Sequence, residues 1–316
     1  MSMLDWLTTP PPDVAVEIHR THVAAARLER RGGRPVIAAH AVENLPSGAV
    51  TPTLAASNMP DVGAVGQAIA RVLGQMGGRT HRIALVVPDS VAKVSLLRLE
   101  KVPAREADLR EIVRWQIRKS APFPVEQAVL SISPGAAAAD GSRDLVVALA
   151  REDVIRQYEQ ACAMAGAHAG IVDLASFAVL NSVIAGGGMP ASDWLLVHVA
   201  GTSITLAVMR AEQLIFFRHR SDESEGTLAD LMHQTAMYYE DRLSGAGFAR
   251  VWLAGTAGMG DGEVVRRDLE SRIGARVELA DPRTAAALTD VIDPSPELAD
   301  ALTPLVGVLR RDARAA

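Results

Sequence analysis

Residues 106–127 read EADLREIVRWQIRKSAPFPVEQ, and this stretch holds the most specific pattern in the chain. Its apolar side chains recur three and four positions apart, which predicts a helix over residues 108–119. Leu109, Ile112 and Trp115 share that spacing, and an apolar stripe of this kind usually faces a protein core. We therefore expect Trp115 to be buried with its two neighbours; a partner-binding stripe is the alternative.

The predicted helix ends at an exit bounded by two prolines. Pro122 and Pro124 lack amide hydrogens and disfavour helical geometry in the residues before them, so they hold Phe123 between two rigid positions. An aromatic ring held in this way can fill a gap in a protein core or form the edge of a peptide-binding groove. Both interpretations stay open at this point.

The segments on either side of this stretch show one pattern twice. In each half of the chain, three short strand-like runs precede a helix-like run, and three glycines at residues 186–188 separate the halves. The runs lie at 14–18, 23–27, 36–41 and 61–76 in the first half, and at 194–199, 203–210, 213–219 and 227–243 in the second. This repeat predicts a duplicated α/β fold, and a further alternation over about 82–166 predicts an inserted subdomain.

Composition and charge exclude several classes of protein. The 316 residues include 32 basic and 37 acidic side chains, a formal charge of -5, which argues against binding to nucleic-acid phosphates. Cys162 is the only cysteine, so an intrachain disulfide and a cysteine-rich zinc site are impossible. No apolar run reaches about 18 uninterrupted residues. We therefore expect no transmembrane helix, and a reducing cytoplasm fits.

The stretch at residues 106–127 resembles the helix-and-exit pattern of the PilM family, the cytoplasmic actin-like proteins of type IV pilus assembly. Residues 145–155 and 165–178 are similar to the next two patterns of that family, in the same order. Residues 193–218 and 302–310 also fit, so the resemblance covers nearly the whole chain.

This resemblance implies an actin-like, ribonuclease H-like α/β fold of two duplicated lobes. It assigns residues 1–188 to the first lobe, with the inserted α/β subdomain at about 82–166, and residues 189–316 to the second lobe. The final helix, predicted at about 298–311, is placed in the second lobe, and a return to the first lobe is the alternative.

The nucleotide-binding patterns of actin-like ATPases are altered in this chain. In that superfamily the first hairpin carries Asp-x-Gly, whose aspartate acts on the metal and whose glycine lets backbone amides approach phosphate. The equivalent positions read EIH at residues 17–19, and the second hairpin reads HVA at residues 198–200. Histidine is bulkier than glycine and is a poor magnesium ligand. We therefore expect a vestigial cleft without catalytic residues.

Remnants of this cleft are assigned by position. The adenosine-side loop at residues 253–258 keeps two glycines, although not as a pair. The expected cofactor is none, or ATP with magnesium if the cleft is retained. The residues assigned to the cleft are Glu17, Thr21, Gly201, Thr202, Ser203, Gly255 and Gly258.

Simpler interpretations compete at these positions. Gly201, Thr202 and Ser203 suit a tight turn between strands as well as a phosphate site, and the turn is favoured. Glu17 and His19 share a strand face, but ordinary polar residues at strand ends are favoured over a metal site. The chain contains neither a G-x-x-x-x-G-K-[ST] P-loop nor an H-E-x-x-H pattern.

The PilM resemblance, taken with the altered nucleotide-binding patterns, implies a binding protein rather than an enzyme. The expected role is a cytoplasmic scaffold at the inner face of the inner membrane, in the assembly platform of the type IV pilus, without ATP hydrolysis. The expected partner is the cytoplasmic N-terminal peptide of a PilN-type single-pass membrane protein, which connects the scaffold to the membrane and to other platform proteins. Members hold this peptide in a groove between the first lobe and the inserted subdomain, where Val86, Trp115 and Phe123 are the candidate contacts by position.

Two other functions stay open. An active ATP-binding ATPase of the same machinery would handle its metal through Glu17, so Glu17→Ala would abolish magnesium-dependent binding. A GspL-like cytoplasmic component of a type II secretion system would share the fold. That family usually continues into a membrane span after the cytoplasmic part, so we rank it below the pilus interpretation.

Overall fold

The computed structural model describes residues 11–77, 82–138, 140–221, 228–257, 262–289 and 295–311. Within those ranges no helix is both long and apolar enough to cross a bilayer. The strands are β1 (Val14–Ile18), β2 (His22–Arg31), β3 (Arg34–Asn44), β4 (Arg82–Val87), β5 (Ala92–Leu99), β6 (Ala128–Ala137), β7 (Arg143–Arg151), β8 (His168–Leu174), β9 (Asp193–Ala200), β10 (Ser203–Arg210), β11 (Gln213–Arg220), β12 (Arg250–Ala254), β13 (Val277–Leu279) and β14 (Ala287–Leu288). The helices are α1 (Val62–Gly74), α2 (Glu106–Ile117), α3 (Glu152–Met164), α4 (Ala175–Gly186), α5 (Leu228–Leu243), α6 (Gly262–Ile273) and α7 (Pro296–Arg310).

The first sheet has six strands in the order β14-β3-β2-β1-β4-β8. Strands β1, β2 and β3 form the predicted antiparallel meander, and β4 and β8 add parallel strands beside β1. All five residues of β1 are buried, because helices cover both faces of the sheet. Val14 and Val16 pack under α1 and α3, whereas Ala15 packs under α4 and α7.

The second sheet repeats this arrangement with five strands in the order β11-β10-β9-β12-β13. Strands β9, β10 and β11 form another antiparallel meander, and β12 and β13 continue from β9 as parallel strands. Strand β9 is therefore the counterpart of β1. The repeated strand order confirms the predicted duplication of an α/β unit.

A third sheet, in the order β5-β7-β6, forms the inserted subdomain together with α2. This subdomain is narrower than the predicted range of about 82–166. Strand β4 pairs with β1 and β8 in the first sheet, and α3 packs against α1, so the inserted part begins at β5 and ends with β7. The prediction was too wide because an apolar run such as β4 does not reveal which sheet it joins.

Helix α2 covers the outer face of the third sheet. Leu109, Val113 and Ile117 of α2 pack against one face of β7, which presents Leu145, Val147 and Leu149. Trp115 lies on the opposite side of α2 and is 76% exposed, and Ile112 is 38% exposed. The expectation that Trp115 and Ile112 are core residues is therefore wrong, because the helix buries only the stripe that faces the sheet.

The inner face of the third sheet meets the second lobe. Leu96 of β5 and Val146 of β7 pack with Phe217 of β11. The Phe217 ring lies 5.3 Å from the ring of Phe177 on α4. The inserted subdomain therefore packs against both lobes through the inner face of its sheet. Helix α2 lies on the outer face of that sheet, which is turned away from the lobes.

The last helix and the last strand return to the first lobe. Strand β14 pairs with β3, and α7 packs along α4 and over β1 and β2. The backbones of α7 and α4 approach so closely that a β-carbon at Gly307 would lie 1.7 Å from the carbonyl oxygen of Ala178. Glycine at this position is what permits the contact. The first lobe is thus completed by the end of the chain.

Candidate functional site

The two hairpin turns face each other across a cavity of about 560 Å³ between the lobes. Glu17 of β1 and His19 and Arg20 of the turn after it line one side of the cavity, and Ala200 at the end of β9 and Ser203 at the start of β10 line the other. Further lining residues are Thr51, Thr53, Asp89, Ser90, Thr205 and His219. Two of the predicted cleft residues, Glu17 and Ser203, therefore line one cavity.

Asp89 is the centre of a hydrogen-bond network that joins the lobes. It is buried in a single 3-10 turn that follows β4. Its Oδ1 accepts hydrogen bonds from the amide and the hydroxyl of Ser176, at 3.0 and 2.8 Å. Its Oδ2 accepts one from the hydroxyl of Thr205, at 2.7 Å. Ser176 lies in α4 and Thr205 in β10 of the second sheet, so one carboxylate holds groups from both lobes.

The network continues from Thr205 through His219 to Ser90. Because the Thr205 hydroxyl donates its only proton to Asp89, it accepts from Nδ1–H of His219, at 2.9 Å. The Nε2 atom of His219 then accepts from the hydroxyl of Ser90, at 3.0 Å. Burial lowers the pKa of His219, in agreement with the neutral ring that this arrangement requires. The network therefore runs from Asp89 in the loop after β4, through Thr205 of β10 and His219 of β11, to Ser90 in the same loop.

Asp89 is ionised within this network. Burial raises the pKa of this carboxyl, but His198, His219 and the amide of Ser176 lower it by more, to about 2. Nδ1 of His198 lies 3.5 Å from Oδ2 of Asp89. The cleft therefore contains a buried anion whose oxygens are already bonded to protein groups.

Glu17 has the opposite protonation state. It lies in the central strand β1 and is only 7% exposed. Burial, together with the charges of Asp89 and Asp300, raises its pKa to about 8. The carboxyl is therefore protonated at neutral pH, and a proton must leave before this group can bind a metal ion.

Replacement of Glu17 by glutamine is expected to remove a loss of stability at alkaline pH. The pKa is about 8 in the folded protein against an ordinary value of 4.5. The unfolded chain therefore releases its proton first, and the wild type loses stability as the pH rises from 4.5 to 8. Glutamine does not titrate, so Glu17→Gln should be more stable than the wild type at pH 8, by up to about 4 kcal/mol. Urea unfolding at several pH values measures the difference.

The control for this change is Glu43→Gln, on the same sheet, where the carboxylate pairs with Arg71 at the surface. This variant keeps Glu17 and should therefore lose stability towards pH 8 as the wild type does. A constant stability difference between Glu17→Gln and the wild type at all pH values would contradict the assigned protonation of Glu17.

The first hairpin turn is filled by histidine side chains. The hydroxyl of Thr21 lies 3.0 Å from Nδ1 of His19 and 3.1 Å from Nδ1 of His22, and the two rings lie 4.6 Å apart. Burial, and then His22, His198 and Arg20, lower the pKa of His19 to about 3, so its ring is neutral. Thr21 thus bonds to the histidines of its own turn and does not belong to the cavity lining.

The second hairpin turn has the geometry of a tight strand connection. Gly201 has a φ of +64°, a left-handed conformation that suits glycine. Gly201 and Thr202 are exposed, and Ser203 is the member of this group that lines the cavity. The turn interpretation is the one that this geometry supports.

The adenosine-side loop is occupied by a carboxylate of the chain itself. Asp300 of α7 accepts hydrogen bonds from the amides of Gly255 and Ala257, at 3.0 and 2.7 Å. Gly255 has a φ of +79°, and a β-carbon there would lie 1.7 Å from the carbonyl oxygen of Val199. Gly258 lies outside the described residues. Backbone amides of the kind that bind phosphate are therefore already bonded to Asp300.

These groups do not fit a magnesium-bound nucleotide. Glu17 is protonated, Asp89 already accepts three hydrogen bonds, and Asp300 covers the loop amides. Buried carboxylates also repel a polyphosphate. Nor do the described residues include three or more His, Cys, Asp or Glu side chains placed to hold a metal ion. Asp89, Thr205, His219 and Ser90 bind one another, and Asp300 binds the loop amides.

The three candidate partner contacts do not lie together. Val86 is fully buried in β4 and cannot contact a partner, so that prediction is wrong; its apolar run is a core strand of the first sheet. Trp115 is exposed on the side of α2 that is turned away from the lobes. Phe123 packs partly buried against the core of the inserted subdomain. It follows the end of α2, where Lys93 donates a hydrogen bond to the carbonyl of Ser120.

Sequence reasoning missed the residues that organise the cleft. Asp89, His219 and Asp300 belong to no recognised motif and come from three separate segments. One signal could have found Asp89, which follows Pro88 at the carboxyl end of an apolar strand. In open parallel sheets, functional groups concentrate at this end of the strands.

Comparisons with known proteins agree with this architecture. A family model described as type IV pilus assembly protein PilM matches residues 15–242. A chain of a solved PilM-PilN type IV pilus biogenesis complex is 17% identical with a TM-score of 0.81, over 95% of this chain and 98% of that chain. A protein of unknown function with an actin-like ATPase fold from Bacteroides thetaiotaomicron is 9% identical with a TM-score of 0.52, over 96% and 99%. With its two duplicated lobes and a family match over more than half of its length, the chain belongs to the type IV pilus assembly protein PilM family and has the actin-like fold.

Proposed function

We propose that this protein is a scaffold of type IV pilus assembly that binds the cytoplasmic N-terminal peptide of a PilN-type single-pass membrane protein and does not hydrolyse ATP. It acts in the cytoplasm at the inner face of the inner membrane, with other platform proteins. Family membership over residues 15–242 supports the pilus role over a type II secretion role. The likeness to a chain of a PilM-PilN complex supports the class of partner.

The observation that carries the scaffold role is that two carboxylates of the cleft are already bonded to groups of the protein itself. Asp89 bonds to α4 and β10, and Asp300 bonds to the loop after β12. A hydrolytic site needs groups that are free to meet a phosphate and its metal. Here the same groups hold the two lobes in one arrangement, which suits a protein that presents a fixed surface to a partner.

The junction between the first lobe and the inserted subdomain is the proposed peptide site. Strand β5 leaves the first lobe there, and the amine of Lys93 ties it to the carbonyl of Ser120 at the end of α2. Phe123, held between two prolines, provides an aromatic surface beside this contact. A groove of this kind recognises an extended peptide through backbone bonds and side-chain pockets.

Calorimetric titration tests this proposal with a synthetic peptide that copies the cytoplasmic N-terminal segment of the PilN-type protein encoded in the same genome. Micromolar binding is expected for the wild type. Lys93→Glu should weaken it by about tenfold or more, because the change breaks the bond to Ser120 and reverses a charge in the groove. Lys101→Glu, two residues past the far end of β5, is the matched control and should bind like the wild type.

Two further titrations complete this experiment. Phe123→Ala should also weaken peptide binding, while thermal unfolding checks that the inserted subdomain stays folded. Millimolar ATP with magnesium should give neither heat nor a thermal shift, since a ligand that binds the native state raises its apparent stability. The absence of peptide binding would overturn the proposed partner, and micromolar ATP binding with a thermal shift would overturn the inert cleft.

A further inference from the structure

The C-terminal end of α2 presents an exposed tryptophan among cations. Trp115 is 76% exposed, although a tryptophan side chain is usually well buried in a folded protein. Arg114, Arg118 and Lys119 surround it in sequence and are all exposed. We call these four residues the α2 tip. Its position on the face turned away from both lobes leaves it open to a large flat surface.

The cations of the α2 tip are weakly engaged within the protein. Arg118 approaches Glu126 only to 4.0 Å, and both side chains are largely exposed. Across the described residues, the side chains of Arg114 and Lys119 take part in no hydrogen bond or ion pair. In contrast, Arg110 at the middle of α2 is paired with Glu106 and bonded to the carbonyl of Leu130. The charges of the tip are therefore available to an outside partner.

The charge of the whole chain is distributed unevenly, and its positive part lies in the inserted subdomain, which carries the α2 tip. Residues 92–151 contain ten basic and seven acidic side chains, a formal charge of +3, and they include all three lysines. The complete chain carries -5, so the remainder carries -8. An anionic surface would attract the inserted subdomain and repel the two lobes, which orients the molecule with α2 towards that surface.

We propose that the α2 tip binds the surface of an anionic lipid bilayer directly. Tryptophan concentrates at the boundary between headgroups and acyl chains, where its ring is apolar and its N–H stays hydrated. Arginine and lysine beside it gain from the negative potential of the lipid surface, by roughly fivefold in affinity for each cation. Tryptophan and arginine also anchor protein interfaces, but here the positive charge extends over the whole inserted subdomain, which favours an extended anionic surface over a single acidic partner. The α2 tip adjoins the proposed peptide site, because Lys119 precedes Ser120, but the two contacts use different side chains: Trp115 and the tip cations for lipid, Lys93 and Phe123 for the peptide.

Co-sedimentation of the full chain with lipid vesicles tests this proposal. We expect binding to vesicles that contain phosphatidylglycerol and none to pure phosphatidylcholine vesicles, with a loss of binding at high salt. The double change Arg114→Glu and Lys119→Glu should reduce binding by roughly 30-fold or more, because it removes two cations and adds two repelled carboxylates. Arg242→Glu with Arg267→Glu, which reverses two exposed arginines on α5 and α6, is the matched control and should leave binding unchanged.

Tryptophan fluorescence supplies a second readout that a folding defect would not mimic. Trp194 and Trp252 are buried in the second lobe and Trp6 lies outside the described residues, so the part of the emission change that depends on Trp115 reports insertion of the α2 tip. Trp115→Phe should remove this change, and Trp115→Ser should also reduce vesicle binding by about tenfold. Two results would overturn the proposal: no binding to phosphatidylglycerol vesicles, or equal binding of the charge-reversed variant and its control. An acidic protein would then be the expected partner of the α2 tip.

Discussion

Replacement of Asp89 by alanine is expected to lower the free energy of unfolding by about 4 kcal/mol. The change removes the acceptor shared by the amide and hydroxyl of Ser176 and the hydroxyl of Thr205. A buried donor that loses its partner costs about 1–3 kcal/mol. The chain of bonds through His219 also loses its anchor. Urea unfolding followed by circular dichroism measures the effect.

Asp140→Ala provides the matched control for this prediction. Asp140 also accepts hydrogen bonds from the amide and the hydroxyl of one serine, Ser142, but its side chain is largely exposed. Water replaces those bonds when the carboxylate is removed, so the loss of stability should be much smaller. Equal losses for the two variants would show that Asp89 does not hold the lobes together.

The pH dependence of stability gives a second test of the same carboxylate. The pKa of Asp89 is about 2 in the folded protein, below its ordinary value of 3.8. Its contribution is therefore complete above pH 4 and is lost as the pH falls towards 2. Asp89→Asn keeps the shape of the side chain but cannot titrate, so part of the acid sensitivity of the wild type should disappear in this variant.

Replacement of Gly307 by alanine is expected to destabilise the protein by about 3 kcal/mol or more. The new β-carbon would lie 1.7 Å from the carbonyl oxygen of Ala178 and 2.8 Å from the amide nitrogen of Ser182. Both atoms belong to the backbone of α4, so no side chain can move aside and α7 must shift. Thermal and urea unfolding measure the loss. Because α7 carries Asp300, the shift should also release the amides of Gly255 and Ala257, and their hydrogen exchange should become faster.

Gly74→Ala is the control for the substitution itself. Gly74 ends α1 with no atom within 4 Å of the position that a β-carbon would take. Alanine is a better helix former than glycine, so this variant should be as stable as the wild type or more stable by about 0.5–1 kcal/mol. A Gly307→Ala variant that is as stable as Gly74→Ala would contradict the close contact between α4 and α7.

Elements whose partners are close in sequence could be predicted from the sequence alone. The meander of β1, β2 and β3 and its counterpart in the second lobe follow from alternating apolar residues and short turns. These patterns specify a local structure because adjacent strands pair through the turn that joins them. The helix at α2 and its exit at Pro122 follow in the same way. The resemblance of this segment to the PilM family pointed to the actin-like fold.

The contacts between distant segments were decided by the tertiary structure. Trp115 has the spacing of a core residue, but the single sheet under α2 buries only the other side of the helix. Asp89 and Thr205 are 116 positions apart, and they meet only because the two lobes dock. Asp300 reaches the loop after β12 because Gly307 lets α7 lie against α4. Periodicity in a sequence shows that a side chain has an apolar or polar environment, whereas the identity of its partner depends on how whole sheets and helices pack.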